Sequence, residues 1–197
     1  MKKLNYLVAG LFVWAGITAT APGEEQLLYL ASQQDKTIVI STVNPDTGAL
    51  VEKHKVELPG TPGPLAFSPD KKLVYAAMTS VGDVPAAVAT LRREKDGSLS
   101  LLKTATIRTR APYIRADRSG KFLLAAHYGA GEVTMYRITD GLVTDEMLDH
   151  HVTEKTAHCI EVDRSGQFVF VPHTGPNKVY QFRLDPKAGK LVPNDPP

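Results

Sequence analysis

Three gapless copies of a twelve-residue pattern constrain this chain more than any other feature. They run Phe67-Ser-Pro-Asp-Lys-Lys-Leu-Val-Tyr-Ala-Ala-Met78, Ala116-Asp-Arg-Ser-Gly-Lys-Phe-Leu-Leu-Ala-Ala-His127 and Val162-Asp-Arg-Ser-Gly-Gln-Phe-Val-Phe-Val-Pro-His173. A partial fourth copy opens at Leu27 as Leu27-Leu-Tyr-Leu-Ala-Ser32. The aligned apolar residues Leu27, Leu73, Phe122 and Phe168 are separated by 46, 49 and 46 positions. Self-similarity at such a period means one supersecondary unit used repeatedly, stacked because a single unit cannot bury its own faces.

Each unit parses alike. A short strand enters (Pro64 to Phe67; Tyr113 to Ala116; Cys159 to Val162). A tight turn of Ser-Pro-Asp-Lys or Asp-Arg-Ser-Gly follows, residues that hydrogen-bond locally or accept unusual dihedrals. The second strand is nearly all apolar, as in Leu73-Val-Tyr-Ala-Ala77 and Phe168-Val-Phe-Val171, and so is read as covered on both faces. A loop with glycine comes next (Gly82; Gly129 and Gly131; Gly175), then an alternating third strand, Val133 to Ile138 or Val179 to Leu184. A second glycine turn (Asp46-Thr-Gly48, Asp96-Gly97, Asp140-Gly141, Lys187-Ala-Gly189) leads to a fourth strand such as Leu99 to Thr106. Four short antiparallel strands per unit of about 46 residues predict an all-β chain, a β-propeller with one blade per unit. Residues 25–197 hold about three and three-quarter units. Closed propellers have about 4–8 blades. A ring of four requires Leu27 to Leu50 to join a blade completed by the C-terminus; otherwise an open fan exposes strand edges and apolar faces, so the expectation is a truncated ring.

Residues 1–21 are set apart from this domain, which is assigned to 22–197. Lys2 and Lys3 precede an apolar stretch to Thr20, and Ala19-Thr-Ala21 has the small-x-small form of a signal-peptidase site. The expectation is export, to the periplasm or beyond, with no membrane span after cleavage. Pro22 would follow that cut directly, so an uncleaved anchor or a shifted cut stays open. The two lysines of this segment account for the whole formal charge of +2, from 23 Lys and Arg against 21 Asp and Glu. What remains is balanced and carries no basic patch for nucleic acid. The single cysteine, Cys159, excludes a disulfide within the chain, and no haem or zinc spacing surrounds it. It adjoins His158, but neighbours in a strand point to opposite faces, so a packing thiol is the reading. Adjacent His150 and His151 point apart for the same reason, and no third ligand accompanies them, so no metal is expected. No Gly-x-Ser-x-Gly elbow is present.

The units resemble the seven-bladed lactonase family, which includes propeller-type 6-phosphogluconolactonases and carboxymuconate lactonising enzymes. Four segments carry the resemblance: Ser68-Pro-Asp-Lys-Lys-Leu-Val-Tyr75; Gly120 to Val133, with its Tyr128-Gly-Ala-Gly131 loop; His158-Cys-Ile-Glu-Val-Asp-Arg-Ser-Gly-Gln-Phe168; and Val179-Tyr-Gln-Phe-Arg-Leu184. It covers roughly residues 26–197 and implies about four blades of an expected seven. It also implies hydrolysis of a lactone by water, without a cofactor, with a small lactone or sugar acid as ligand. His158 matches the family's histidine position. The arginine and glutamate that the family supplies from later blades have no counterpart here, and a leader is unexpected for an enzyme of a cytosolic phosphosugar.

Strand order selects the remaining candidates. The loop into strand one and the loop from strand two to three share one rim. Tyr113 and His158 lie at the first, and His127, Tyr128 and His173 at the second. A histidine at a channel mouth suits general-base work near neutral pH, so His158 is the expected catalytic residue. Tyr113, Arg115, His127, Tyr128 and His173 are the expected substrate contacts, Arg115 for a carboxylate or oxyanion. Each also has a plain structural reading: a histidine satisfying a strand-end carbonyl, an arginine in a salt bridge. The alternative is a non-catalytic exported propeller whose rim binds a protein or glycan.

Overall fold

The computed structural model describes residues 25–197, so the expected leader, 1–21, lies outside the described residues. These residues form fifteen strands in four antiparallel sheets, with no helix among them. The first sheet is β1 (Leu27–Ser32), β2 (Thr37–Val43) and β3 (Leu50–Glu57). The second is β4 (Thr61–Phe67), β5 (Leu73–Val81), β6 (Val84–Arg93) and β7 (Leu99–Thr106). The third is β8 (Tyr113–Ala116), β9 (Phe122–His127), β10 (Glu132–Thr139) and β11 (Leu142–Val152). The fourth is β12 (Glu161–Val162), β13 (Phe168–His173), β14 (Lys178–Asp185) and β15 (Lys190–Pro193). In every sheet the strands pair in sequence order. Leu27, Leu73, Phe122 and Phe168, the residues aligned by sequence, each open an equivalent strand. The first sheet has three strands, and its described residues hold no counterpart of β4, β8 and β12.

The turns ahead of β5, β9 and β13 are each closed by one side chain. Ser68 Oγ accepts the Leu73 N–H at 3.0 Å, and Asp117 Oδ1 accepts those of Lys121 and Phe122 at 2.9 and 2.8 Å. Asp163 repeats this with Gln167 and Phe168, both at 3.0 Å. The Phe168 N–H, Ser165 and the other turn amides hold the Asp163 carboxyl down at about 2. The strands then alternate their side chains between two neighbouring sheets, giving three apolar layers. Ile38 and Ile40 meet Val74, Ala76 and Leu91 between the first and second sheets. Tyr75, Ala77 and Val88 meet Leu123, Ala125 and Tyr136 in the next layer. Phe122, Leu124 and Met135 meet Val169, Val171 and Phe182 in the third.

A recurrent latch joins the layers. The Tyr29 hydroxyl donates to Gly97 O at 2.9 Å, and the Tyr75 hydroxyl, at the equivalent position, donates to Gly141 O at 3.0 Å. Both glycines have positive φ, +86° and +79°, and a Cβ on them would stand 2.1 Å from Leu27 Cδ1 and 2.5 Å from Leu73 Cδ1. Glycine is thus required twice over, for the left-handed turn and for the approach of the preceding blade. The inner strand β12 is shorter than the expected Cys159–Val162. His158 N–H donates to Pro172 O at 3.0 Å, but a hydrogen-bonded pair exchanges two bonds and proline has no N–H to return.

The paired ends fix the rim. Thr61 opposes Thr79, Tyr113 opposes Ala126, and Ala157 opposes His173. Inner-strand entries and second-strand exits therefore lie together at one end of the blades.

Tyr75→Phe removes the latch hydroxyl at a site 1 % exposed and leaves Gly141 O without its partner. Urea unfolding is expected to show a loss of about 1–3 kcal/mol, and a smaller loss for the half-exposed Tyr29→Phe.

Candidate rim site

His158 stands exposed at the entry to β12, its ring edge-on to Tyr128 with centroids 5.8 Å apart and planes at 72°. The Tyr128 ring is held from behind. Its hydroxyl accepts a hydrogen bond from Thr174 Oγ1 at 3.3 Å, and its backbone oxygen accepts Thr156 N–H at 2.8 Å. Gly131, at φ +69°, closes the loop by donating to His127 O at 2.8 Å. A Cβ there would lie 2.7 Å from the backbone of Glu154 and Lys155, which leads to His158. The glycine loop after β9 and the segment before β12 are thus one packed unit, and it sets the Tyr128–His158 pair.

His127 and His173 share the rim by topology but not by exposure. His127 is 0 % exposed and His173 3 %. His127 Nδ1 lies 3.2 Å from Arg110 O and must donate, because a carbonyl only accepts. Its Nε2 then accepts from Thr134 Oγ1 at 2.8 Å. Burial holds this imidazole below its ordinary value, against the opposing pull of the Arg110 carbonyl. His173 Nδ1 donates to Val171 O at 2.9 Å, and its Nε2 lies 2.8 Å from Thr153 Oγ1. Both rings brace the entry segments of the inner strands: His127 holds Arg110, ahead of β8, and His173 holds Thr153, ahead of β12.

Tyr113 and Arg115 alternate along β8 and meet Glu161 of β12. The Tyr113 hydroxyl bonds one Glu161 oxygen, and Arg115 Nε lies 3.3 Å from the other. Burial, with the Glu161 bond, pushes the Tyr113 phenol well above its ordinary value. Cys159 lies on the same side, and burial pushes its thiol up, so it is a packing thiol beside Tyr113 rather than a thiolate paired with His158. This cluster joins two inner strands and is separate from the Tyr128–His158 pair. Glu161 was absent from the expected contacts, although its two-residue spacing from Cys159 places it on the face that Tyr113 and Arg115 share.

Arg110, also unexpected from sequence, lines two recesses at the rim. One, about 330 Å³, is bordered by Thr109, Pro112, Tyr128 and Gly129. The other, about 450 Å³, reaches Gln33, Thr61 and Gly63 in the preceding sheets. The Arg110 side chain is exposed and forms no ion pair among the described residues. Its distance from any motif explains why spacing did not reveal it.

His150 and His151 turn to different carboxylates, Glu132 at 2.8 Å and Asp149 at 3.1 Å. Burial alone would raise the Glu132 carboxyl, but His150 and Arg108, whose Nε is 2.8 Å away, outweigh it and hold the group below its ordinary value. Among the described residues no group of three or more His, Cys, Asp or Glu is arranged to hold a metal ion.

The model of the family described as Lactonase, 7-bladed beta-propeller, matches residues 27–196. The curated 6-phosphogluconolactonase of Cronobacter sakazakii is 31 % identical over 118 residues, 60 % of this chain and 34 % of that protein. The chain thus spans about a third of the length of the curated relatives it matches. A crystal structure of a provisional 6-phosphogluconolactonase from Bacteroides uniformis superposes with a TM-score of 0.74 at 17 % identity, over 88 % of this chain and 51 % of that one. The periplasmic gluconolactonase of Pseudomonas aeruginosa superposes at 0.68 with 19 % identity, over 86 % and 53 %.

His127 ties this rim to pH. Its folded value is depressed below 6.5, so the unfolded chain takes up a proton first as pH falls. The stability contributed by the neutral ring is complete above 6.5 and lost as pH drops through the depressed value. Thermal midpoints measured from pH 7.5 to 5 are expected to fall more steeply for the wild type than for His127→Gln, which lacks that titration.

Proposed function

This chain belongs to the seven-bladed β-propeller lactonase family, and from that premise we propose that it carries part of the rim site of a lactone hydrolase. The observation that carries the reading is the exposed His158 ring, set edge-on to Tyr128, which with Arg110 lines a recess. In this reading His158 removes a proton from water as the water attacks the ring carbonyl, and the proton then passes to the leaving alkoxide. An imidazole can both take up and release a proton, so the side chain suits both transfers. Tyr128 orients the imidazole and offers an aromatic edge to the ligand. Arg110 is the cation facing the recesses, and it supplies charge for an anionic substituent or for the developing oxyanion.

Of the other expected contacts, Tyr113 and Arg115 reach a ligand only by exchanging their bonds to Glu161. His127 and His173 act through the segments they hold. The ligand class is a small lactone of sugar-acid type, and export rests on the leader-like residues 1–21. A neighbour of this fold bears the name periplasmic gluconolactonase, which accords with export.

Tyr113 and Arg115 being engaged by Glu161 favours a second reading, a propeller that binds a sugar acid without turning it over. One assay separates the two. Hydrolysis of δ- and γ-lactones by the full-length polypeptide is followed by acid release, for the wild type and His158→Ala. The expected result is a fall of about 10²–10⁴ in kcat, the range of general acid–base catalysis. Equal rates would remove His158 from the mechanism. Absence of turnover, with a lactone-dependent rise in Tm that Arg110→Ala abolishes, would establish the binding reading.

A further inference from the structure

We propose that Glu132 is the positioning residue of Arg110: through Arg108 it pins the strap of residues 107–112 that presents the Arg110 guanidinium to the rim recesses. The inference rests on the reading of Arg110 as the cation that meets the ligand, and the strap itself can be followed without any ligand.

Glu132 stands where the fold does not ask for a charge. It opens β10 and pairs with His127 at the rim end of the third sheet. In the other sheets the matching places, opposite Ser32, Met78 and His173, hold Thr37, Ala87 and Lys178. The Glu132 side chain is nevertheless only 7 % exposed. Withdrawing a carboxylate from water is unfavourable unless it is paired and hydrogen-bonded. Both oxygens are engaged here: Arg108 Nε donates to one at 2.8 Å, and His150 Nε2 lies 2.8 Å from the other. A buried ion that three sibling sheets do without serves something other than stacking.

What it holds is the strap. The link from β3 to β4 needs only residues 58–60, whereas that from β7 to β8 takes 107–112. Ile107 and Ala111 are 1 % and 4 % exposed, so the strap is moored near both ends in the layer between the second and third sheets. The Ile107 N–H donates to Ala86 O at 3.1 Å and the Arg108 N–H to the Tyr136 hydroxyl at 2.7 Å, while His127 Nδ1 donates to Arg110 O at 3.2 Å. Between the buried ends the strap carries two guanidinium groups, two positions apart. Glu132 takes the first and ties it to the third sheet. The second, Arg110, stays exposed and lines both recesses. Without the carboxylate the strap loses its only side-chain ion pair among the described residues. Arg110 then samples more directions, and a ligand must bear the cost of ordering it. The effect therefore falls on binding, in KM rather than kcat.

The full-length polypeptide serves for the test. Trypsin cuts after arginine, so a loosened strap shows as faster cleavage after Arg108 and Arg110. Glu132→Ala is expected to speed that cleavage. It is also expected to raise KM for δ-gluconolactone and Kd for gluconate about tenfold, the scale of one lost charge-assisted contact, with kcat unchanged. Glu132→Gln keeps an acceptor for Arg108 in place and is expected to restore most of the loss. In an Arg110→Ala background Glu132→Ala is expected to add nothing, because an effect acting through Arg110 is not additive with its removal. Arg108→Ala breaks the same tie from the other side and gives the same pattern should Glu132→Ala fail to fold. Unchanged cleavage, a KM rise equally large without Arg110, or a fall in kcat alone would overturn the positioning role and leave the lactonase reading intact. A wild type that neither turns over the lactone nor binds gluconate would overturn both, since Arg110 would then have no ligand to be positioned for.

Discussion

A short antiparallel sheet with apolar side chains on both faces gains nothing by forming alone, because each face it makes is one it exposes. The blades of this chain are such sheets: β9 has no exposed residue along its length, and its alternate side chains belong to two different layers. Stability therefore belongs to the interfaces rather than to the blades. The turns, the tyrosine latches and the left-handed glycines serve one end, which is to bring each sheet close enough to the next to bury both. Gly97 and Gly141 show how tight the demand is, since a single methyl group there would collide with a leucine of the preceding blade.

That requirement explains what was legible in the sequence. A stacked architecture writes the same residues at the same places, so Leu27, Leu73, Phe122 and Phe168 could be aligned before any strand was seen, and each does open an equivalent strand. β7 has the limits expected of it, Leu99–Thr106. The departure at β12 has a cause that pattern alone does not weigh. Pro172 suits an apolar strand by hydrophobicity but cannot return a hydrogen bond to His158, and the ladder breaks there. Strand order likewise brings the entries of the inner strands and the exits of the second strands to one end, as Tyr113 opposite Ala126 and Ala157 opposite His173 show. It carried no information on which way each ring turns.

The direction of a side chain is where the site and its scaffold part company. His127, His158 and His173 occupy comparable levels of adjacent blades, yet two are enclosed and one is not. The difference lies in what each ring meets. Thr134 and the Arg110 carbonyl capture His127, and Val171 with Thr153 captures His173. A ring with both nitrogens so engaged is a strut, and burial favours the neutral form of His127, the form that can accept as well as donate. His158 precedes its inner strand, beyond the reach of such partners, and finds the edge of Tyr128 instead. The threonine that engages each ring comes from a different place, Thr134 of the adjacent third strand for His127 and Thr153 ahead of the inner strand for His173, so the capture is readable only once the pairing is known.

The scaffold and the rim are linked through the same segments that the buried histidines hold. Arg110 reaches the recesses from a loop whose backbone carbonyl is tied to His127, and His158 follows a segment tied to His173 through Thr153. The Gly131 turn packs directly on Glu154 and Lys155 of that segment. A change in one blade interface thus moves the entry of the next inner strand, and with it the residue at the rim. Tyr113, Arg115 and Glu161 add a second tie deeper along the axis, between β8 and β12. The presentation of side chains at this rim therefore depends on the interfaces between neighbouring sheets, because each one fixes the angle at which the next inner strand enters.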